Sequence, residues 1–465
     1  MFTAPIKHLT SNLESLREFI DLLDSYLIEK ASETVNSHAK DLAPLAYFAK
    51  KAGLPIDAEF EGLSADEIKD KLKESNDIEI DVEVSGTEEK PEYKLVIDGK
   101  GKINFEKAIN EMTKSHKRMD LLYRSSLMNL TSIVELFVSQ LLHQQFAKNL
   151  DAISTKDKLF SIDDLMQYDS VADVKQHYIN TKIEELLYGS FADWIAYLKN
   201  SNKLSMGYLD QDMDILKETF LRRNLIVHNG GVINSIYISK APKSFTKDAE
   251  LGSSIEIDRN YINRRIDLFE RNCVLIAAEL WKKLDITDES RGNILNHSAY
   301  HHMLGKRWMI SESLSFFVMQ DKQLSEQTQT VAKINYWLSK KRQGKWDEIK
   351  EEVLALNFSA KNFTFQLALA SLTERIDKFY EILPNALISK QISQSDLNEF
   401  PVFEEIRNDP RFDEYRKEGS LPENPILDTE EKQEQVREKE VVAEADDTAT
   451  TCSVGCSDLN ESVTI

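Results

Sequence analysis

The stretch from Phe105 to Leu150 constrains the fold most. Its second half spreads Leu121, Leu122, Leu127, Leu130, Ile133, Val134, Leu136, Phe137, Val138, Leu141 and Leu142 around most of a helix's circumference. A helix with one apolar stripe can lie on a surface, but one apolar on nearly every side has to be surrounded. The segment therefore predicts the central element of a helical bundle. The rest of the chain agrees: with 15 Gly and 10 Pro in 465 residues, turn-formers and helix breakers are scarce, and a mainly α protein follows.

A chain of 465 residues is longer than one core usually serves, so two or three domains are expected. Residues 1–117 read as an N-terminal helical segment. Leu9, Leu13, Leu16, Phe19, Ile20, Leu23 and Leu27 recur at helical spacing, and Ser64 is placed to cap a short helix ending near Ser75. Within it, Ile78, Ile80, Val82 and Val84, then Tyr93, Leu95 and Ile97, alternate with polar residues. That pattern predicts a small β-hairpin over 78–98, with Ser85-Gly86-Thr87 between its strands. Residues 118–285 form the bundle, with further helices at about 170–188, 190–200, 210–229 and 258–284 and a short extended segment over Val232, Ile233, Ile236, Tyr237 and Ile238. Residues 286–420 read as helical hairpins, with candidates at 293–319, 325–341, 344–356, 361–372, 374–391 and 394–407. Pairs this short bury their faces only by stacking. From 421 to 465 aromatics vanish and acids dominate, as in a disordered tail.

The formal charge is −21. Residues 421–465 hold twelve acids against three bases, a net of −9, which leaves −12 on the other 420. A broad basic face for DNA or avid RNA binding is thereby excluded, although a local basic site is not. Cys273 lies in an apolar helical run and reads as a core residue. Cys452 and Cys456 lie in the tail without the partners a zinc site needs. The N-terminus lacks an apolar signal core and no apolar run approaches membrane-spanning length, so a cytoplasmic protein without membrane contact is expected.

One segment concentrates polar chemistry: Arg222-Arg223-Asn224-Leu225-Ile226-Val227-His228-Asn229-Gly230-Gly231. Residues from Asp210 to His228 form an amphipathic helix, and Gly230-Gly231 stops it with a left-handed cap. His228 then occupies the last turn, where the helix dipole favours a protonated imidazole suited to acid–base work. Asn224, four residues earlier, shares its face and could orient the ring. Arg223 offers a guanidinium for a phosphate. Together they make a minimal kit for RNA cleavage without a metal, because the 2′-hydroxyl of the RNA supplies the nucleophile. A plainer reading leaves Arg222 and Arg223 as a solvated C-terminal cap.

The segment Arg223-Asn224-x3-His228 resembles the signature of the HEPN superfamily, and Ser132-Ile133-Val134-Glu135-Leu136-Phe137 resembles the pattern on that family's first long helix. Gly189-Ser190-Phe191-Ala192-Asp193-Trp194 and the helix at 258–284 follow in the expected order, so the resemblance covers about residues 118–285. It implies a HEPN-type helical bundle and a metal-independent endoribonuclease that leaves 2′,3′-cyclic phosphate and 5′-hydroxyl ends. It also implies a homodimer in which two Arg/His motifs face each other, with RNA as substrate and no cofactor. Arg223 would be the phosphate ligand, His228 the acid–base and Asn224 the orienting residue. Asn229 would support them, and Glu135 either projects into the cleft or pairs a buried polar group. Many members act in bacterial toxin–antitoxin or antiphage defence.

Two further constellations remain. His297, His301 and His302 include an i, i+4 pair, but no third metal ligand accompanies it, and surface or structural histidines are the plainer reading. The stretch from Lys361 to Phe412, ending Phe400-Pro401-Val402-Phe403-Glu404-Glu405-Ile406-Arg407-Asn408-Asp409-Pro410-Arg411-Phe412, resembles the last unit of tetratricopeptide-type arrays, which would imply a protein-binding surface. The alternative is a plain helical domain capping the bundle. No phosphate loop, dinucleotide fingerprint, zinc-protease helix or serine nucleophile elbow occurs. The rival to the enzyme is therefore a non-catalytic helical scaffold that binds a protein partner through the C-terminal helices.

Overall fold

The computed structural model describes residues 2–56, 60, 62–76, 78–87, 90–149 and 165–415. The acidic segment 421–465, with Cys452 and Cys456, lies outside them. The chain is mainly α with one small hairpin. Helices α1 (Thr3–Ser37), α2 (Ala39–Leu42), α3 (Pro44–Ala52) and α4 (Ala65–Asn76) precede strands β1 (Ile78–Thr87) and β2 (Lys90–Gly99). Then come α5 (Lys102–Lys148), α6 (Val171–Leu187), α7 (Phe191–Asn202), α8 (Met213–Asn229), α9 (Ser235–Lys240), α10 (Lys243–Thr246), α11 (Arg259–Leu284), α12 (Ser290–Leu304), α13 (Trp308–Gln320), α14 (Glu326–Arg342), α15 (Lys350–Leu354), α16 (Phe363–Leu372), α17 (Ile376–Ile388) and α18 (Gln394–Glu399).

The apolar run behaves as its pattern requires. α5 packs against α1, α6, α8 and α11, and Leu127, Leu130, Val134, Leu141 and Phe146 are buried in the main core. Burying each such side chain stabilises the fold by about 1.5–3 kcal/mol. By length and composition α5 could also cross a membrane, contrary to the sequence expectation. Its burial inside the bundle accounts for that composition equally well.

Two expected boundaries fall elsewhere. Phe2, Ile6, Leu9, Leu13, Leu16 and Ile20 belong to the same core as α5, and residues 117 and 118 lie inside one continuous helix. The apolar stripe of α1 needs a partner, and α5 supplies it. The bundle also continues past 285, because Leu295, Ala299, Ile310, Leu314 and Val318 still pack into the first core. A second core begins at Met303 and gathers Trp337, Leu338, Leu367, Phe379, Leu383, Phe403 and Phe412.

Smaller differences have local causes. Expected 293–319 splits into α12 and α13 at Lys306, whose φ is +56°. Expected 394–407 stops at Glu399 because Pro401 opens a 3-10 turn. Ser64 caps α4 reciprocally with Glu67, at 2.7 and 3.2 Å, as its spacing predicts. The hairpin pairs Ile78 with Gly99 through Thr87 with Lys90, so Ser85–Thr87 extend β1 and do not turn. Ile78 and Ile80 pack with Tyr47, Ile68 and Leu72 in a small separate core.

Candidate functional site

α8 carries the polar segment. Asp212 sits at its N-cap, buried against Arg271 and Asn272, so the helix begins at Met213 and not at Asp210. Leu216 and Leu225 are buried. At the other end Gly230 adopts φ +60° and the Gly231 N–H returns to the Leu225 carbonyl at 3.1 Å. This wrap satisfies end carbonyls that would otherwise lack donors. Arg124 of α5 completes it: its Nη1 donates to the Gly230 carbonyl at 2.7 Å while Nε holds Asp120 at 2.7 Å. A Cβ at Gly231 would meet Arg124 Nη1 at 2.6 Å, so that glycine is needed for both its φ of +84° and the closeness of the guanidinium. Asn229 donates from its side chain to the Val232 carbonyl. It therefore holds the turn, and nothing places it beside the imidazole.

Arg222 and Glu218, one turn apart on α8, belong to a buried network. Glu218 is fully buried and accepts from Arg222 Nε at 2.7 Å, Tyr237 Oη at 2.8 Å, Tyr261 Oη at 3.0 Å and Arg265 Nη2 at 3.4 Å. Arg222 and Arg265 also cover the Tyr261 ring, at 4.2 and 4.3 Å from its centroid. Burial opposes the charge of Arg222, but Tyr261 and Glu218 outweigh it and hold the guanidinium protonated. This network explains α9. The sequence predicts an extended segment there, yet Ser235–Lys240 is helical, started by Asn234 accepting from the Tyr237 N–H at 2.9 Å. The helix turns Tyr237 inward to the carboxylate, and only Val232 makes a strand-like bridge, to Ser254.

Arg223 faces the other way, into a cleft of about 660 Å³ walled by Glu135 of α5, the α6–α7 turn and Lys217, Arg223 and Asn224 of α8. Its floor is aromatic: Phe191 stacks on Phe220 at 5.2 Å, and Trp194 meets Phe220 edge-on at 5.4 Å. Arg223 Nη1 donates to Asn224 Oδ1 at 3.0 Å and Nη2 lies 3.9 Å from Glu135 Oε1. Glu135 thus projects into the cleft beside the arginine. Asn224 orients Arg223, where the sequence reading had it orient His228. The imidazole is exposed on the last turn of α8 and does not line this cleft. A separation of five residues puts it about 140° round the helix from Arg223.

The histidines of α12 divide in two. His297 and His301 meet edge-on with ring nitrogens 3.2 Å apart, and burial followed by the neighbouring ring lowers the pKa of His297. Among the described residues no group of three or more potential ligands could hold a metal ion. His302 is buried, accepts from Arg307 Nε at 3.1 Å and sits 3.4 Å from Glu270. Burial first, then Arg307 and Arg17, drives its pKa down to about 3. It is part of the packing that ties α1 to α11, through Arg17 to Glu270 at 2.6 Å. A second cavity, of about 290 Å³, opens between α12, α14 and α16. It is apolar and bordered by Tyr300, Ile334, Phe365 and Phe403.

Sequence reasoning missed Glu218 and Arg124. Glu218 had a signal, its i, i+4 spacing to Arg222. Arg124 had none, since 106 residues separate it from the carbonyl it binds. Comparison with known proteins finds no family model, no curated protein and no solved structure that matches the chain.

Proposed function

We propose that the chain is a metal-independent endoribonuclease of HEPN type, acting on RNA as a homodimer. The observation that carries this is the arrangement of Arg223. Its guanidinium is oriented by Asn224 and faced only loosely by Glu135, while the neighbouring Arg222 is consumed by packing. A cation held this way is available to a phosphate, and it sits one and a half turns from an exposed imidazole anchored by the Gly230-Gly231 cap.

In the proposed reaction the 2′-hydroxyl attacks the adjacent phosphorus and the 5′-oxygen leaves. His228 moves the proton of one of these oxygens, and Arg223 neutralises the charge building on the phosphorane. The products are a 2′,3′-cyclic phosphate and a 5′-hydroxyl. Because Arg223 and His228 point to different sides of α8, the complete site joins two copies, each motif facing the other. Val227 in the last turn of α8 and Ile236 just past its cap are large apolar side chains left exposed, as a self-associating surface requires. The expected role in defence, the cytoplasmic location and the absence of cofactor belong to the same reading.

The test is digestion of total RNA by the wild type, Arg223→Ala and His228→Ala, with the new ends analysed chemically. Cyclic-phosphate ends made by the wild type and by neither variant support the enzyme. Identical end populations from all three would sink it. A second reading, a scaffold that binds a protein partner without cleavage, draws support from the apolar cavity of the C-terminal helices.

A further inference from the structure

The cleft beside Arg223 carries three side chains that the cleavage chemistry leaves unused. Lys217 and Lys240 border it and make no ion pair or hydrogen bond among the described residues. Several lysines elsewhere are paired: Lys340 to Glu312 and Glu348, Lys341 to Glu374 and Glu405, Lys361 to Glu326. In a chain of formal charge −21, two unclaimed ammonium groups and a loosely paired guanidinium on one cleft form a local site for an anion.

The third is Tyr188, on the same cleft and 91% exposed. Its position is rigid. The Tyr188 N–H closes α6 onto the Glu184 carbonyl at 3.0 Å, and the Gly189 N–H reaches Leu186 at 3.0 Å. A Cβ on Gly189 would come within 3.1 Å of both the Leu186 carbonyl and Asp193 Cβ, so the turn is as tight as a glycine permits. Ser190 and Asp193 then cap α7 reciprocally. That bond occupies the Asp193 carboxylate, at 2.8 Å from the Ser190 N–H, and the other acid of the cleft, Glu135, faces Arg223. The result is an aromatic face presented to solvent on a tight turn, on the same cleft as three cationic side chains and with the cleft's two acids engaged.

We propose that this cleft binds single-stranded RNA, with one unpaired base stacked on Tyr188 and the flanking phosphates held by Lys217, Lys240 and Arg223. A ring open on its face engages a base only when that base is unpaired, because a duplex keeps its bases stacked on one another. The acidic remainder of the protein repels any longer stretch of backbone, so recognition is local. The inference rests on reading the cleft as an RNA site, and its test separates the two.

Binding is read by fluorescence anisotropy with a short, labelled oligonucleotide whose 2′-hydroxyls are all methylated, so that it cannot be cut. The single strand is expected to bind more tightly than its duplex. Tyr188→Ala should weaken it about ten-fold, and Tyr188→Phe should restore it. Lys217→Gln with Lys240→Gln should weaken it and flatten the salt dependence by about 1.4 in log–log slope. Circular dichroism confirms that the exposed-site variants keep the helical fold. Equal affinity of wild type, Tyr188→Ala and the double lysine variant overturns the proposal, as does a duplex bound as tightly as the single strand or no binding by the wild type. If His228-dependent cleavage of ordinary RNA persists in that case, the nuclease reading stands without this one. Tyr188-dependent binding without cleavage leaves this one standing alone.

Discussion

Arg222 and Arg223 are adjacent in the chain and opposite in fate. The first lies in the network around Glu218, with a carboxylate, a carbonyl and an aromatic face as partners. The second stands in a cleft with one amide and a distant carboxylate. His301 and His302 repeat the contrast: one is exposed beside His297, the other buried between Arg307 and Glu270. A helix turns by about 100° per residue, so neighbours can face core and solvent respectively, and identity alone says nothing about which does which. Surrounded groups answer to stability, and open ones are free for chemistry.

The largest expected effect tests the open side. Arg223→Ala or His228→Ala should each lower RNA cleavage by about 10²–10⁴-fold while leaving the urea unfolding midpoint in place. A matching loss of stability would erase the contrast with Arg222. Next comes the buried side. Glu218→Ala strands Arg222 and Arg265 without their counter-charge and should cost about 3–5 kcal/mol in urea unfolding. Glu135→Ala removes a half-buried partner 3.9 Å away and should cost well under about 1 kcal/mol.

The histidine pair gives a pH test. An unfolded imidazole titrates near about 6.5, and that of folded His302 near about 3. Between those values the unfolded chain takes up a proton that the folded chain refuses. The stability this group protects is therefore complete above pH 6.5 and is lost as pH falls, by about 1.4 kcal/mol per pH unit. His302→Gln should remove that slope from unfolding free energies measured across acidic pH, whereas His301→Gln should keep it. The cap gives a local test of stability. Gly230→Ala forces a left-handed alanine into open space and should cost about 1–2 kcal/mol. Gly231→Ala should cost more, since it must also displace Arg124.

Much of the fold is legible in the pattern of side chains. α5, α6, α7, α8 and α11 begin and end within a few residues of expectation, because apolar periodicity and caps such as Ser190 and Gly230 are local signals. The sequence pattern of α9 predicts an extended segment because its Ile and Tyr content favours a strand. The Tyr237 bond to Glu218, 19 residues away, overrides that preference. The expected boundary at 117/118 falls inside α5 for a similar reason: the partner of α1 is α5, and a stripe that matches another helix announces no partner by itself.

Within the site, the chemical kinds were readable and the wiring was not. Residue type and spacing marked Arg223, Asn224 and His228, and the Gly-Gly stop placed His228 on the final turn of its helix. Three-dimensional packing determined that Asn224 serves the arginine, that Asn229 serves the turn, that Arg124 clamps the cap, and that Tyr188, Lys217 and Lys240 share a cleft with Arg223. Helix starts, stops and faces follow from interactions within a few residues, which a linear string records. Which arginine loses its solvent and which keeps it depends on side chains arriving from helices tens to hundreds of residues away, and only the folded core brings them together.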